Sequence, residues 1–223
     1  MSIYILDDEI FFPPLEHCNS DGILAIGGDL KTDRLHLAYR SGIFPWYNKD
    51  EPIIWHSPDP RFVLFPKNLK VSKSMRKILR DKKFRITYDQ SFVQVIHRCS
   101  AIKRKDQYDT WITTEMIEAY KHLHEMGSAH SVEAWIGDEL VGGLYGIIIG
   151  DMFFGESMFS DVSNASKTAF VSMVEATDFS LIDCQVYTDH LSSLGAELIS
   201  RDSYIHLLKI GVEKPPIKLG GIL

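Results

Sequence analysis

Apolar residues return along this chain with two periods, and the switches between them outline an α+β protein. Spacings of three and four residues predict helices over 33–41, 72–80, 90–99, 114–126, 164–178 and 201–209. Ser72 is placed to cap the second of these. Thr113 or Thr114 opens the fourth, and Gly127 stops it. In the fifth, Phe170, Met173, Val174 and Thr177 form the inner stripe. Alternating or continuous apolar stretches predict strands over 84–88, 131–136, 139–149, 151–155 and 181–187. From about residue 128 the order is strands, helix, strand, helix, which suits an acyltransferase type of α+β domain. Fold alone assigns no chemistry. No repeat, low-complexity tract or Gly/Ser linker interrupts the chain, so any two lobes must pack closely.

With 223 residues, 45% of them hydrophobic, the chain can bury a core as one large domain or two small ones. The longest apolar run, around Ile147 to Ile149, is bounded by glycines and falls far short of the roughly 20 residues a membrane span needs. The opening MSIYILDDEIFF carries acids and no basic stretch ahead of its apolar residues, which argues against a secretory signal. Cys18, Cys99 and Cys184 are odd in number and form no CxxC pair. That argues against a disulfide framework and a cysteine zinc site, and a reducing cytoplasm fits.

The net charge of −6 conceals an uneven distribution. Residues 61–105 hold 14 of the 24 lysines and arginines and only two acids, Asp81 and Asp89, a net +12 that leaves −18 on the rest of the chain. In the helix capped by Ser72, the basic residues Lys73, Arg76, Lys77 and Arg80 share one face. Val71, Met75, Ile78 and Leu79 supply an apolar side, and Lys82, Lys83 and Arg85 extend the positive surface. A solvated helix face is the bland reading of the helix alone. The asymmetry over the whole segment favours a polyanion site that reads phosphates by position and shape.

Three groups of residues carry candidate chemistry. In LIDCQV (181–186), strand alternation turns Asp183 and Gln185 to one face and Cys184 to the other. A satisfied buried polar pair at a strand end reads equally well from this fragment. Cys184 has no cation nearby in sequence to make it a nucleophile and reads as a small buried hydrophobe. In FFGESMFS (153–160), Glu156 is an acid among Phe153, Phe154, Met158 and Phe159, next to Gly155, where a backbone can approach closely. That composition suggests a pocket for an apolar side chain with a cationic group beside it. Plain core aromatics with Glu156 at an exposed turn are the alternative. Met158 and Met173 suit a pocket that adapts to several apolar side chains. Trp46, Trp55 and Trp111 lie in or near Pro- and aromatic-rich loops flanking the basic segment, where rings suit stacking on unpaired bases as well as core packing.

Ten blocks in order, DGILAIGGDL, GIFPWY, SPDPR, TWIT, AHSVEAW, ELVGGLYG, FFGESMFS, NASKTAF, LIDCQV and SLGA, resemble the leucyl/phenylalanyl-tRNA–protein transferases from about Phe12 to Leu208. The resemblance implies a small N-terminal lobe (1–62) packed on an acetyltransferase-like (GNAT-type) α/β lobe (63–223). It implies transfer of Leu, Phe and, less well, Met from leucyl-tRNA and phenylalanyl-tRNA to proteins with N-terminal Arg or Lys, marking them for degradation through the N-degron pathway. No metal or cofactor is implied. Asp183 and Gln185 would be the catalytic pair, with Glu156 at the reaction site and Trp46 and Trp111 on the terminal adenosine. Three positions depart from the pattern: His56 where Trp is usual, Asp109 where Gly commonly precedes TWIT, and Thr114 in place of a frequent Pro. The chemistry suits a site without a strong base, because an aminoacyl ester is already activated. On this reading the Gln185 carbonyl accepts a hydrogen bond from the attacking amine, and Asp183 orients that amide through its NH2 group. Phe153, Met158, Phe159 and Met173 would line the donor pocket. A CoA-dependent acetyltransferase would need a pyrophosphate turn of the R-x-x-G-x-G/A kind, which DVSNASKTA lacks. A non-catalytic tRNA-binding module would explain the basic segment but not the acid among aromatics.

Overall fold

The structure, a computed structural model, describes residues 3–102 and 112–220. In chain order the elements are β1 (Tyr4–Leu6), β2 (Ile23–Gly27), α1 (Thr32–Arg40), β3 (Phe44–Pro45), β4 (Ile54–His56), β5 (Arg61–Leu64), α2 (Lys73–Arg80), β6 (Arg85–Tyr88), α3 (Phe92–Ser100), α4 (Thr114–Glu125), β7 (Ala129–Ile136), β8 (Glu139–Ile149), β9 (Met152–Ser160), α5 (Ala165–Glu175), β10 (Leu181–Gln185), α6 (Asp189–Ser192), β11 (Glu197–Ile199) and α7 (Arg201–Gly211). The expected helices and strands are all present. Ser72 Oγ accepts the Met75 N–H at 3.2 Å and Thr113 Oγ1 accepts the Met116 N–H at 3.2 Å, so both N-caps form. At the far end of α4, Gly127 takes φ +77 and the Ser128 N–H reaches back to the Leu123 carbonyl, a glycine stop of the Schellman kind. Several boundaries move: α5 ends at Glu175, so Thr177 lies beyond the helix, β7 starts at Ala129, and α7 runs on to Gly211. β9 runs on to Ser160 because β8 pairs with it all the way, and β10 ends at Gln185, whose φ of 62 leaves the extended region.

Two sheets organise the molecule. A small N-terminal sheet has the order β1-β2-β4-β3, and a seven-stranded sheet has the order β11-β5-β10-β9-β8-β7-β6. The chain passes from β4 to β5 over Ser57–Pro60, and β5 inserts between β10 and β11, so the expected boundary after residue 62 falls inside a strand of the large sheet. Within that sheet β10 is parallel to β9 and antiparallel to β5. Among the described residues no helix is long and apolar enough to cross a membrane.

Each face of the large sheet has its own apolar core. On one, Leu24, Leu35, Tyr39 and Trp55 of the N-terminal part merge with Tyr120, Tyr145, Phe154 and Tyr204 into a single cluster. On the other, Phe62, Leu144, Phe153, Phe170, Met173 and Ile182 pack together, with Ile78 and Leu79 of α2 against them. Burying each large aromatic here contributes on the order of 1.5–3 kcal/mol, so the N-terminal part is held by its share of a common core. Close approach of α5 to β8 depends on Gly142, where a Cβ would lie 2.5 Å from that of Ala165.

Candidate active site

Two irregularities in adjacent strands create the site. Across β8 and β9, Tyr145 faces Ser157 and Gly146 faces Gly155, which leaves Glu156 as an extra residue in a β-bulge. Across β5 and β10, Asp183 faces Val63 and Gln185 faces Phe62, so Cys184 is extra in the same way. A bulge reverses the alternation beyond it, which is how Phe154 and Phe159, five residues apart, reach the same core. The pairing of β9 with β10 runs from Met152–Leu181 to Phe154–Asp183. Past that point a cavity of about 780 Å³ opens, with Glu156 and Gln185 in its wall. Gly146 permits the bulge, since a Cβ there would sit 2.2 Å from the Phe154 carbonyl oxygen.

The three expected catalytic residues lie together, but their contacts differ from the expected ones. Gln185 donates its side-chain NH2 to Glu156 Oε1 at 2.7 Å, and not to Asp183. Asp183 instead accepts the Gln185 backbone N–H at 2.9 Å, the Arg61 guanidinium at 2.8 and 2.7 Å, and the Tyr204 hydroxyl at 2.8 Å. A carboxylate with this many donors is a fixed anchor. It holds the backbone of Gln185 in its left-handed turn while the side chain is oriented by Glu156. Glu156 also accepts from Tyr39 at 2.8 Å and Tyr120 at 3.0 Å. Burial pushes its carboxyl up to about 7, against the downward pull of the Tyr39, Tyr120 and Gln185 hydrogen bonds.

Arg61, Tyr39, Tyr120 and Tyr204 were not legible as site residues. Arg61 counted among the charges of the basic segment, yet it is 1% exposed, with Phe44 and Tyr204 rings on its guanidinium at 4.6 and 4.7 Å. Burial works against its charge, but Asp183 and Tyr204 outweigh that and bind the proton more tightly than usual. Its charge is spent inside the fold, not on a polyanion. The three tyrosines are fully buried, and burial raises each hydroxyl well above the ordinary range.

Phe153, Met158 and Phe159 line the cavity, together with Leu144, Phe170 and Ile182. Met173 does not. It is fully buried in α5, one turn beyond Phe170, and belongs to the core. Cys184 faces the α5 side of the cavity, and burial raises its thiol far above the nucleophilic range. Trp46 lines the N-terminal side with Phe44 and Pro45, and His56 donates to its backbone carbonyl at 2.9 Å. Trp111 and Asp109 lie outside the described residues.

The basic residues Lys73, Arg76, Lys77, Arg80, Lys83 and Arg85 are all exposed. Met75 is buried beneath α2, where Thr168 of α5 meets its sulfur at 3.7 Å, so the basic face stands on the helix that supplies Ser166 and Phe170 to the cavity. Arg85 lies over the Trp135 ring at 5.1 Å, and Arg80 pairs with Asp81 at 3.4 Å.

Comparison with known proteins identifies the family. The family model described as leucyl/phenylalanyl-tRNA protein transferase matches residues 63–209, and the model of its N-terminal domain matches residues 28–59. A leucyl/phenylalanyl-tRNA–protein transferase of Flavobacterium johnsoniae is 55% identical over 210 residues, covering 93% of this chain and 99% of that protein. One from Syntrophus aciditrophicus is 52% identical over 221 residues, covering 98% and 92%. Among solved structures, a GCN5-related N-acetyltransferase-like protein of Streptococcus suis aligns with a TM-score of 0.35 at 11% identity, covering 76% of this chain and 64% of that one. With family models matching along most of its length and relatives more than half identical over nearly all of it, the chain belongs to the leucyl/phenylalanyl-tRNA–protein transferase family of aminoacyltransferases.

Proposed function

We propose that the cavity holds the aminoacylated 3′ end of leucyl- or phenylalanyl-tRNA and passes the amino acid to the α-amine of a protein with N-terminal Arg or Lys. Proteins so modified are marked for the N-degron pathway in the cytoplasm. The observation that carries the reading is the Gln185 amide, anchored through its NH2 on Glu156 where β9 and β10 part. Its carbonyl oxygen is then the atom left for an incoming amine. The volume, about 780 Å³, suits a ligand the size of an aminoacyl adenosine. Leu144, Phe153, Met158, Phe170 and Ile182 supply an apolar recess for the donor side chain, and Trp46 a ring for the terminal base.

The reaction asks little of a base. The acceptor amine has an ordinary pKa of about 7.7–8.0, so roughly a tenth is neutral at pH 7, a cost near 1.4 kcal/mol. Its nitrogen attacks the ester carbonyl, the C–N bond forms and the C–O bond to the ribose breaks. The proton shed by the nitrogen ends on the departing ribose oxygen. An amide oxygen is too weak a base to keep a proton, so Gln185 aligns the amine and Glu156 keeps Gln185 turned the right way.

The test is transfer from leucyl-, phenylalanyl- and isoleucyl-tRNA to one Arg-starting peptide. Leu and Phe should be used well and Ile about 10- to 200-fold less, because a branch at Cβ widens the side chain where a packed wall yields little. Equal use of leucyl- and isoleucyl-tRNA would mean that the recess does not read the donor. The basic face of α2 is the proposed track for the tRNA phosphates. Arg76→Glu with Arg80→Glu should weaken aminoacyl-tRNA binding and flatten its dependence on salt, since fewer counterions are released. An unchanged slope of log K against log salt would put the tRNA elsewhere.

A further inference from the structure

We propose that Tyr39 and Tyr120 are positioning residues which, with Glu156, form a proton-accepting ring that receives the proton the acceptor's ammonium must lose before it can attack. The inference rests on the functional reading above and assigns the one proton that reading leaves unplaced.

Proton counting carries the argument. Three oxygen contacts close a ring: Tyr39 to Glu156 Oε1 at 2.8 Å, Tyr120 to Glu156 Oε2 at 3.0 Å, and a short contact between the two hydroxyls. Two phenols bring two protons to those three contacts. With Glu156 ionised the ring is one proton short. When Glu156 takes a proton on Oε2, that proton points to Tyr120, Tyr120 donates to Tyr39 and Tyr39 donates to Oε1, so every contact is made. Oε1 remains an acceptor throughout, and the Gln185 NH2 keeps its bond at 2.7 Å in both states.

The ring lies where the proton is released, since Glu156 and Gln185 line the same cavity. In balance, R–NH3⁺ and the Glu156 carboxylate become R–NH2 and the carboxylic acid. The amine then forms the C–N bond, its second proton follows the ribose oxygen, and Glu156 returns its proton to solvent. The groups facing Glu156 come from four elements. Tyr39 of α1 and Tyr120 of α4 donate to it, Tyr145 of β8 stands against Tyr120 with ring centroids 5.7 Å apart, and β10 supplies Gln185 and Asp183. Asp183 is itself paired with Arg61. Burial lifts the Glu156 carboxyl to about 7, where it exchanges a proton near neutrality, and the tyrosine hydroxyls pull it down.

The experiment is single-turnover transfer from leucyl-tRNA to an Arg-starting peptide across pH. The proteins are the wild type, Tyr39→Phe, Tyr120→Phe and Glu156→Gln, with the infrared carboxyl band of each protein followed over the same range. The amine's own ionisation is common to all four, so differences between them report the ring. Each Tyr→Phe change should move the acid limb, and the disappearance of the protonated-carboxyl band, about one unit to higher pH. Glu156→Gln should lose that band and about 10²-fold or more in rate. Tyrosine variants with the wild-type midpoint, slowed equally at every pH, would reduce the pair to packing and overturn the proposal, as would Glu156→Gln with wild-type rate. If the wild type transfers nothing at any pH, the functional reading fails. The infrared titration would then still show whether the two tyrosines govern the carboxyl.

Discussion

Replacing Asp183 with alanine is expected to cost the fold about 3–5 kcal/mol, the range for breaking a buried ion pair by removing one partner. Arg61 is 1% exposed and cannot turn to solvent. Its guanidinium is bound at two points by Asp183, enclosed by Phe44 and Tyr204, and otherwise donates to the Gly42 carbonyl at 3.2 Å. Without Asp183 a full positive charge stays buried with no carboxylate, held only by the Gly42 carbonyl, the Tyr204 hydroxyl and two ring faces. Adding Arg61→Met to Asp183→Ala should recover part of the loss, since an apolar pair of similar volume removes the orphaned charge. Denaturant midpoints of the two variants decide the matter. A single variant within about 1 kcal/mol of wild type would show that the pair is not what holds β5 to β10. A slow Asp183→Ala enzyme is therefore evidence about catalysis only after its folding has been checked.

Gln185→Ala should behave in the opposite way. Alanine pays about the same for the left-handed turn as glutamine does, and the backbone N–H still reaches Asp183. Stability and tRNA affinity should hold, while transfer falls about 10²–10³-fold, the usual loss when one aligned hydrogen-bonding group is removed from a reacting centre. Glu156→Ala with Gln185→Ala should cost less than the product of the two single losses, because part of the Glu156 effect runs through its hold on Gln185. Losses that multiply would separate their roles, and a Gln185→Ala enzyme of near wild-type rate would remove the amide from the mechanism.

What the sequence displayed was periodicity, and the elements with enough turns or alternations to display it, α2, α4, α5, β8 and β9, were legible. β1, β3, β4 and β11 have two or three residues each, too few for any period. β5 is Arg61 followed by three apolar residues directly behind SPDP, too short to show a period, so it reads as the end of a loop. Asp183 with Gln185, and Glu156 separately, were legible as polar residues in apolar strands, and only the family resemblance put the three at one site. Their wiring was not, because both bulges change which neighbour each side chain meets. Arg61 is 122 positions from its partner, and no local pattern separates it from a surface charge. Tyr39 and Tyr120 occupy apolar stripes of their helices, where a ring satisfies the pattern and the hydroxyl leaves no trace. Met173 was assigned to the pocket for its chemistry, but one turn of α5 separates the cavity wall from the core.

The bond from Tyr39 to Glu156 ties together the two stretches that separate family models match, residues 28–59 and 63–209. A buried carboxylate of the cavity wall in one stretch takes a hydrogen bond from a hydroxyl in the other, so neither is a module that can be inherited, exchanged or grafted by itself. In a chimera assembled from two relatives, the seam would run through the candidate site. Recombination within such proteins is thereby restricted to partners whose helix and bulge have changed in step.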